Sequence, residues 1–545
     1  MKKRKDPYFD GLAAQMTETS LNEVKQKLDA LQQLTAEGAT IAAGIEQIVQ
    51  KLMKPMQEQG GVLSTIEENF QLLYAILGKD MGLVTGKYAI LEGTAQAGVI
   101  YIESLTDQNL VSVQVIAPLI RGKIDAPTDS EALLTLIQSK FIHVPNLKTT
   151  SQIAEIAKGL LNGDTVLIIN GLSTALIIGS RKVEKRSIDK PENEGTVLAS
   201  SESFTEDLAT NVGLVIKRIP TPSLRFEELT VGVLSRTKLK LLWIDGIANA
   251  KVVEEARRRI NNINVDHLDG IGALAELIED NPLSIFPKYR QTQRPDVVVK
   301  NLTEGRFAIL SDNSPFSFFA PSSLWDNFKT MDDYAERTTS ASYLRLVRYI
   351  AFLISILVSP IYLSFVTYNH IIVPQALAVN IATGRAGVPF PSVVELLLMT
   401  IAITIIREAS LRIPGSVGYF IGTLAAVILG QASVAAGYIS ASIIIVVATS
   451  EISSFAVSTS TMVYTSRLIN YFFIILAGMF GMFGLINGIA IIFWHLASLE
   501  SFGVPYLYPL VPFEMAAMQD TFIRLRVLKQ RFKILAPFNR VRTGK

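Results

Sequence analysis

Apolar and polar positions follow three different rhythms along the 545 residues. Over residues 20–53, Leu21, Val24, Leu28, Leu31, Leu34, Ile41, Ile45, Ile48 and Leu52 recur at steps of three, four or seven. That spacing predicts one long helix with a narrow apolar stripe. Ser20 and Glu23 fit a capping box at its start. The stripe suits an arm packed on its own chain as well as a partner-binding coil. Gly60-Gly61 then reads as a linker.

From 62 to about 310 the rhythm is that of short strands between helices. Gly98–Ile102 predicts a buried strand. Gly163–Asn170 and Thr174–Ile178 predict a hairpin turning at Gly171, and Leu229–Leu234 with Lys238–Ile244 a second strand pair. Lys251–Ile260 predicts a helix. One echo stands out. Val99–Leu105 and Leu241–Ile247 each run as an apolar strand into an acid (Glu103, Asp245), then a hydrophobe two residues on, then a turn and a helix. The echo predicts two related α/β units with mixed sheets, although strand–turn–helix units also recur by chance.

The third rhythm is nearly continuous apolarity from Arg348 to Leu499. A membrane span needs about 20 apolar residues in a helix, because lipid leaves backbone polar groups no other partner. Tyr349–Tyr368, Gly415–Ala435, Tyr438–Val457 and Ile469–Trp494 meet that need. Val393–Ile406, bounded by Glu395 and Arg407, predicts a re-entrant or tilted segment. Ile371–Pro391, rich in Pro and Gly, predicts a dip or loop. Arg345 and Arg348 precede the first span, and a run of Lys and Arg from Arg524 to Lys545 follows the last. Both flanks are therefore expected in the cytoplasm, across an even number of crossings.

Composition sharpens this picture. Hydrophobic residues make up 49% and charged residues 18%, and the mean hydropathy of +0.33 exceeds that of an ordinary soluble enzyme. The net charge of +2 carries no signature of nucleic acid. The absence of Cys excludes disulfides, zinc ribbons, iron–sulfur ligation and a cysteine nucleophile. The four His are scattered, and no phosphate-loop, dinucleotide-binding, zinc-protease or nucleophile-elbow motif occurs. Neither an enzyme nor a cofactor is expected. Met1–Asp6 is basic but no apolar stretch follows, so no signal peptide is read.

The fold class expected is multidomain: a cytoplasmic α/β part of two related units followed by an all-α transmembrane domain. The divisions are a helical extension and linker (1–61), α/β units at 62–145 and 146–340, membrane helices at 341–510 and a basic cytoplasmic tail at 511–545. Within the membrane part, 415–436 sets Gly and Ala at three- and four-residue steps, which permits close helix contact. It serves either a packed bundle interior or a pore lining, with Gly422, Ala426, Val427, Gly430 and Gln431 as pore candidates. Glu395, Arg407, Glu408 and Glu451 are the polar candidates, since ionisable groups at depth are functional by default. Of these Arg407 reads as an interfacial anchor, and Glu451, deep in an apolar run, as the sharpest. The charged groups Glu276–Asp280 and Arg257–Arg259 read as a solvated helix end and a solvated helix face.

Several stretches together resemble the A subunits of GerA-type nutrient germinant receptors of spore-forming bacteria, over roughly 65–525. They are Trp243–Asn249, Val252–Arg259, Leu277–Pro282, Arg294-Pro-Asp296, Glu304-Gly-Arg306, Gly387–Pro391, Arg407-Glu-Ala409, Gly430-Gln-Ala432 and Ser501–Tyr506. The resemblance implies a protein of the spore inner membrane. It also implies a transporter-like B subunit and a lipoprotein C subunit as partners, and a homo-oligomeric ring conducting cations in response to a nutrient. A secondary transporter and a non-conducting scaffold are the alternatives. The chain departs from the family at Thr400 and Thr404, where acids are usual, at Ser410, usually Gly, and at Glu451, usually small and apolar. Those departures imply either altered conduction or a divergent paralogue, with Glu451 able to supply charge from another helix.

Overall fold

The structure is a computed structural model that describes residues 61–123, 130–142, 144, 146–182, 198–413, 416–518 and 520–524. The helix expected over 20–53 and most of the basic tail lie outside the described residues.

The α/β part is one pattern used twice. Helix α1 (Ile66–Leu77) leads into β1 (Leu83–Ile90) and β2 (Ala95–Ile102). A helical stretch α2 (108–121) and α3 (Ser130–Lys140) precede β3 (Leu147–Thr150). Then come α4 (Ile153–Leu161), β4 (Thr165–Ile169) and β5 (Ala175–Ile178). The second copy repeats the order. It runs α5 (Leu208–Arg218), β6 (Leu224–Val231), β7 (Thr237–Ile244), α6 (Ala250–Asn261), α7 (Ile271–Ile278), β8 (Arg290–Thr292), α8 (Pro295–Thr303), β9 (Phe307–Ser311) and β10 (Ser317–Ala320). The sheets have equivalent strand orders, β1-β2-β4-β5-β3 and β6-β7-β9-β10-β8. The two echo segments thus fall on β2 and β7, the same position in each sheet.

The sheets are not mixed: every strand pairing is antiparallel. The first sheet also runs past residue 145, where the sequence divides the units, because β3, β4 and β5 complete it. The predicted hairpin is β4–β5, and Gly171 in its turn has φ +87°, a conformation that glycine adopts without strain. The second predicted pair is β6–β7, with β6 beginning five residues before Leu229 and ending at Val231.

One core joins the copies. Ile66, Phe70, Ile100, Ile156 and Ile168 of the first pack in one cluster with Val212, Leu242, Ile244, Val298 and Leu310 of the second. Each sheet has a separate core on its other face, one with α2 and α3 and one with α6 and α7. Gly98 is a close-contact point, since a Cβ there would meet Ile66 and Phe70 of α1.

The rest of the described chain is helical: α9 (Thr338–Thr367), α10 (Gln375–Arg385), α11 (Ser392–Leu411), α12 (Ser416–Ala435), α13 (Ala441–Ser454) and α14 (Ser460–Ser498). By length and composition α9 and α14 are long and apolar enough to cross a membrane. The expected spans need correction in four places. Val393–Ile406 belongs to the full 20-residue helix α11. Ile371–Pro391 contains helix α10 rather than loop alone. The helix within Tyr438–Val457 has only 14 residues, about 21 Å at 1.5 Å per residue, because Ser440 is already its N-cap. And Ile469–Trp494 is not one span.

Helix α14 folds back on itself. Gly481 leaves helical geometry at φ 60°, ψ −142°. A Cβ on Gly488 would sit 3.1 Å from Phe473, fifteen residues earlier, and one on Gly484 would meet the Leu476 carbonyl. In a straight helix Phe473 and Gly488 stand about 22 Å apart. Thr465 and His495 accordingly reach the same α/β loop, hydrogen-bonding Ile285 O at 2.7 Å and Ser284 at 3.0 Å. The tip lies by the far end of α9, where Tyr368 donates to Gly478 O at 2.9 Å. Contacts along the bundle fix the other directions. Ser450 donates to Ser355 O and Thr404 meets Tyr471, so α13 and α11 run back toward the α/β part while α12 runs away from it. The result is antiparallel traverses by α9, α11, α12, α13 and both limbs of α14, an even number that returns the chain to the α/β side.

Buried charges weld the two parts. Arg345 and Asp333 are fully buried and 3.3 Å apart; Arg348 holds the same carboxylate at 2.7 Å, and Asp520 accepts from Arg345 and Tyr334. Asp326 pairs with Arg306 at 2.8 Å and with Lys329 at 3.4 Å. The loop after α14 adds Phe502, buried in the outer core of the second sheet, and Leu507 O, which accepts from the Trp325 indole. Two sequence readings change here. Arg259 is not a solvated face residue, since it bonds Asp280 at 2.6 Å and lies over Phe502. Glu279 and Asp280 are not a solvated helix end: Glu279 pairs with buried Lys288, and Asp280 accepts from Phe502 N.

Two outcomes follow from this packing. Gly98→Val should overpack α1 against β2 and destabilise the full-length protein by about 1–3 kcal/mol. Gly384→Ala, in the open near the end of α10, should be neutral or stabilise by about 1 kcal/mol. Thermal unfolding of both variants distinguishes them, and equal effects would contradict the packing. The second outcome concerns pH. Burial opposes the charge of Asp326, but Arg306 and Lys329 outweigh it and hold the carboxyl well below the usual range; Asp333, beside Arg348 and Arg345, is lowered too. A carboxyl lowered by folding stabilises above its unfolded pKa of about 3.9 and loses that contribution as pH falls through the folded value. The melting temperature should therefore fall below about pH 4. Asp326→Asn should lower it at pH 7, by about 3–5 kcal/mol in stability, and flatten the acid limb. An acid limb parallel to that of the parent would refute the assignment.

Candidate functional site

An open groove of about 940 Å³ runs between α11, α12 and α13. All five pore candidates, Gly422, Ala426, Val427, Gly430 and Gln431, line it, and so do Arg407 and Glu451. The sequence spacing is responsible: positions 422, 426 and 430 follow one another at the four-residue step that keeps a single helix face.

The glycines divide into two uses. A Cβ on Gly422 would lie 2.8 Å from Ser410 Cβ, and one on Gly418 would meet the carbonyls of Ser410 and Ile413. These two bring α12 against the end of α11, as close helix packing requires. Gly430 is different. A Cβ there would stand an ordinary 3.7 Å from Ile444, so its smallness keeps the groove wide rather than the helices close. Beyond α11, α12 has little cover: Phe420 is 66% exposed and Val427 50%.

The polar candidates separate. Glu395 does not line the groove and is fully buried, at the end of the bundle opposite Arg407 and Glu451. One carboxylate oxygen accepts from Arg385 at 3.1 Å and the other from Ser440 N at 3.0 Å. It therefore ties α10 to the start of α13, where the helix dipole also favours a negative charge. Glu408 turns outward to Arg412 at 3.0 Å. Arg407, expected as an interfacial anchor, turns inward instead. It lies 3.8 Å from Glu451 and 4.1 Å from the centre of the Phe455 ring.

Sequence reasoning missed the third member of that group. Arg467 of α14 bonds Glu451 Oε2 at 2.8 Å and is buried. Glu451 thus faces two guanidinium groups and offers no free negative charge to the groove, contrary to the expectation that it supplies one. Arg467 precedes the apolar run Ile469–Trp494 and so reads as a flank. The available signal was Met462-Val463-Tyr464 before it, which places the arginine inside an apolar helix rather than ahead of one. Arg385, the partner of Glu395, was hidden in the segment read as a loop. No group of three or more His, Asp or Glu able to hold a metal ion occurs among the described residues.

Comparison with known proteins now places the chain. The family model for Bacillus/Clostridium GerA spore germination protein matches residues 71–534. Spore germination protein KA of Bacillus subtilis is 35% identical over 449 residues, 82% of either chain. Spore germination protein A1 of the same organism is 34% identical over 471 residues, 86% of this chain and 96% of that one. The crystal structure of the N-terminal domain of the A subunit of the Bacillus megaterium spore germinant receptor GerK3 aligns at 29% identity. It covers 48% of this chain and 96% of that domain, with a TM-score of 0.39. With a match that spans both α/β copies and the helical bundle, the chain belongs to the GerA family of spore germination proteins.

Proposed function

We infer that this chain is the A subunit of a nutrient germinant receptor in the spore inner membrane. Helices α9, α11, α12 and both limbs of α14 cross the bilayer, the 14-residue α13 completes its return within the bundle together with its flanking turns, and the α/β part stays in the cytoplasm. Copies of the chain assemble around α12 and form a cation pore, while a transporter-like B subunit and a lipoprotein C subunit deliver the nutrient signal. The reaction is gating rather than catalysis. The nutrient shifts a closed-to-open equilibrium by its differential affinity for the two states.

The observation that carries this reading is the isolation of α12. It is a 20-residue helix, long enough to span about 30 Å, yet it packs chiefly along α11 and leaves apolar and small faces uncovered. Gln431 sits on that helix, and an amide at such depth belongs against protein or water. Both features are met when α12 lines a shared axis. Because Glu395 and Glu451 are engaged by arginines, Val427 serves as the apolar constriction, closing by dewetting.

Cation flux through liposomes holding this chain with its B and C partners, across a panel of nutrients, tests the reading directly. Flux that requires both nutrient and partners is the expected result. Val427→Ser should leak cations without nutrient. The chain has no Cys, so Val427→Cys gives a single thiol whose modification should block flux. A Val427→Ser channel that stays tight and nutrient-dependent would place the pore elsewhere.

A further inference from the structure

We propose that a second pocket, between α11 and the first limb of α14, binds the phosphate group of an anionic phospholipid. The pocket measures about 240 Å³ and is separate from the groove, although Arg407 lines both. Its basic wall is Arg407 and Arg467. Thr404 and Tyr471, joined by a 3.1 Å hydroxyl contact, face them, and Tyr464 and Leu468 flank the opening at about half exposure.

The charge count points to a missing anion. Two guanidinium groups share the Glu451 carboxylate, which leaves one positive charge unmatched. Both arginines also keep nitrogens without a hydrogen-bond partner, Arg467 Nε and Arg407 Nη1, the latter 3.8 Å from the nearest Glu451 oxygen; both are closed to solvent, so the phosphate reaches them as the side chains turn toward the pocket. Arg467 itself is more than nine-tenths buried. Buried unpaired donors on a charged group are costly, and a phosphate answers guanidinium geometry with paired oxygens. Glu408 lies at the rim but is engaged by Arg412. The volume admits a phosphate with adjoining glycerol, being about eight times the share of one water.

Position selects the lipid source. Arg407 lies four residues before the end of α11 and Arg467 seven after the start of α14, at the end of the bundle next to the α/β part. If the bundle crosses the bilayer as proposed above, on which this inference rests, that is the level of the cytoplasmic-leaflet headgroups. Basic pockets between helices on that side recognise phosphate headgroups.

The test uses the full-length protein in neutral detergent, titrated with short-chain phosphatidylglycerol, short-chain phosphatidylcholine or inorganic phosphate, with thermal unfolding as readout. Phosphatidylglycerol should raise the melting temperature saturably and phosphatidylcholine should not. Arg407→Gln should weaken the apparent affinity by about tenfold, the loss of a charge-assisted hydrogen bond. Glu451→Gln should strengthen it, because it releases both arginines. That opposite sign is the discriminating result, since a purely structural triad gives loss of stability in both variants and no change in lipid preference. Tyr471→Phe keeps the packing and should weaken binding a few-fold, which preserves the test if a charge change prevents folding. Equal stabilisation by the two lipids overturns the site. Inorganic phosphate matching phosphatidylglycerol overturns the lipid source. Flotation with phosphatidylcholine vesicles reports membrane insertion alone, so a protein that floats but shows no headgroup preference refutes this site and not the membrane reading.

Discussion

A charge buried among apolar helices must meet its counter-charge, because an unpaired ion in a low-dielectric interior is penalised by several kcal/mol. Much of this structure is arranged by that constraint. Glu395 binds α10, α11 and the start of α13 at one end of the bundle. Glu451 binds α11, α13 and α14 at the other. Below it, Asp333 holds Arg345 and Arg348 of the bundle's first helix, and Asp326 on the same connecting segment holds Arg306 at the edge of the second sheet. Each acid joins segments distant in sequence, so the ion pairs specify which helices are neighbours more than they add stability.

The α/β part supplies a rigid base for that bundle. Its two copies present helices to a shared core, so neither copy's inner face is complete without the other. Among the described residues the junction runs chiefly through the second copy. Its α8 leads to Lys300 over the Tyr334 ring, its loops at 284–288 meet both ends of the folded α14, and Phe502 closes its outer core. A motion of the second sheet therefore has direct contacts through which to reach α9 and α14. The groove helix α12 has no such contact, and its route to the base passes through α11 and the Arg407–Glu451–Arg467 group.

Small residues play two physical roles in the bundle that look identical in composition. Gly418 and Gly422 remove side chains where α12 meets the Ser410 and Ile413 carbonyls and the Ser410 side chain, and Gly481 takes up a positive φ where the chain reverses. Gly430 and Ala426 instead leave space unfilled beside the groove. With its buried carboxylates Glu395 and Glu451 already held by arginines, the bundle leaves mainly apolar and amide side chains for the groove wall.

Periodicity alone determined the strands β2, β4, β5 and β7, the helix α6, the division into α/β and helical parts, and the echo between β2 and β7. These depend on local alternation and on apolar runs, which neighbours in sequence dictate. The face of α12 was legible for the same reason, because a four-residue step fixes a face before any packing is known. Strand order, the antiparallel sense of both sheets and the completion of the first sheet by β3–β5 depend on pairings between distant segments. The reversal at Gly481 was not legible, since 469–494 holds no charge and no proline to break it and the turn is decided by Phe473 and Leu476 meeting Gly484 and Gly488. The partners of Glu395 and Glu451 were likewise decided by the tertiary structure, because Arg385 and Arg467 lie 10 and 16 residues away on separate helices, and only the fold brings opposite charges within hydrogen-bonding distance.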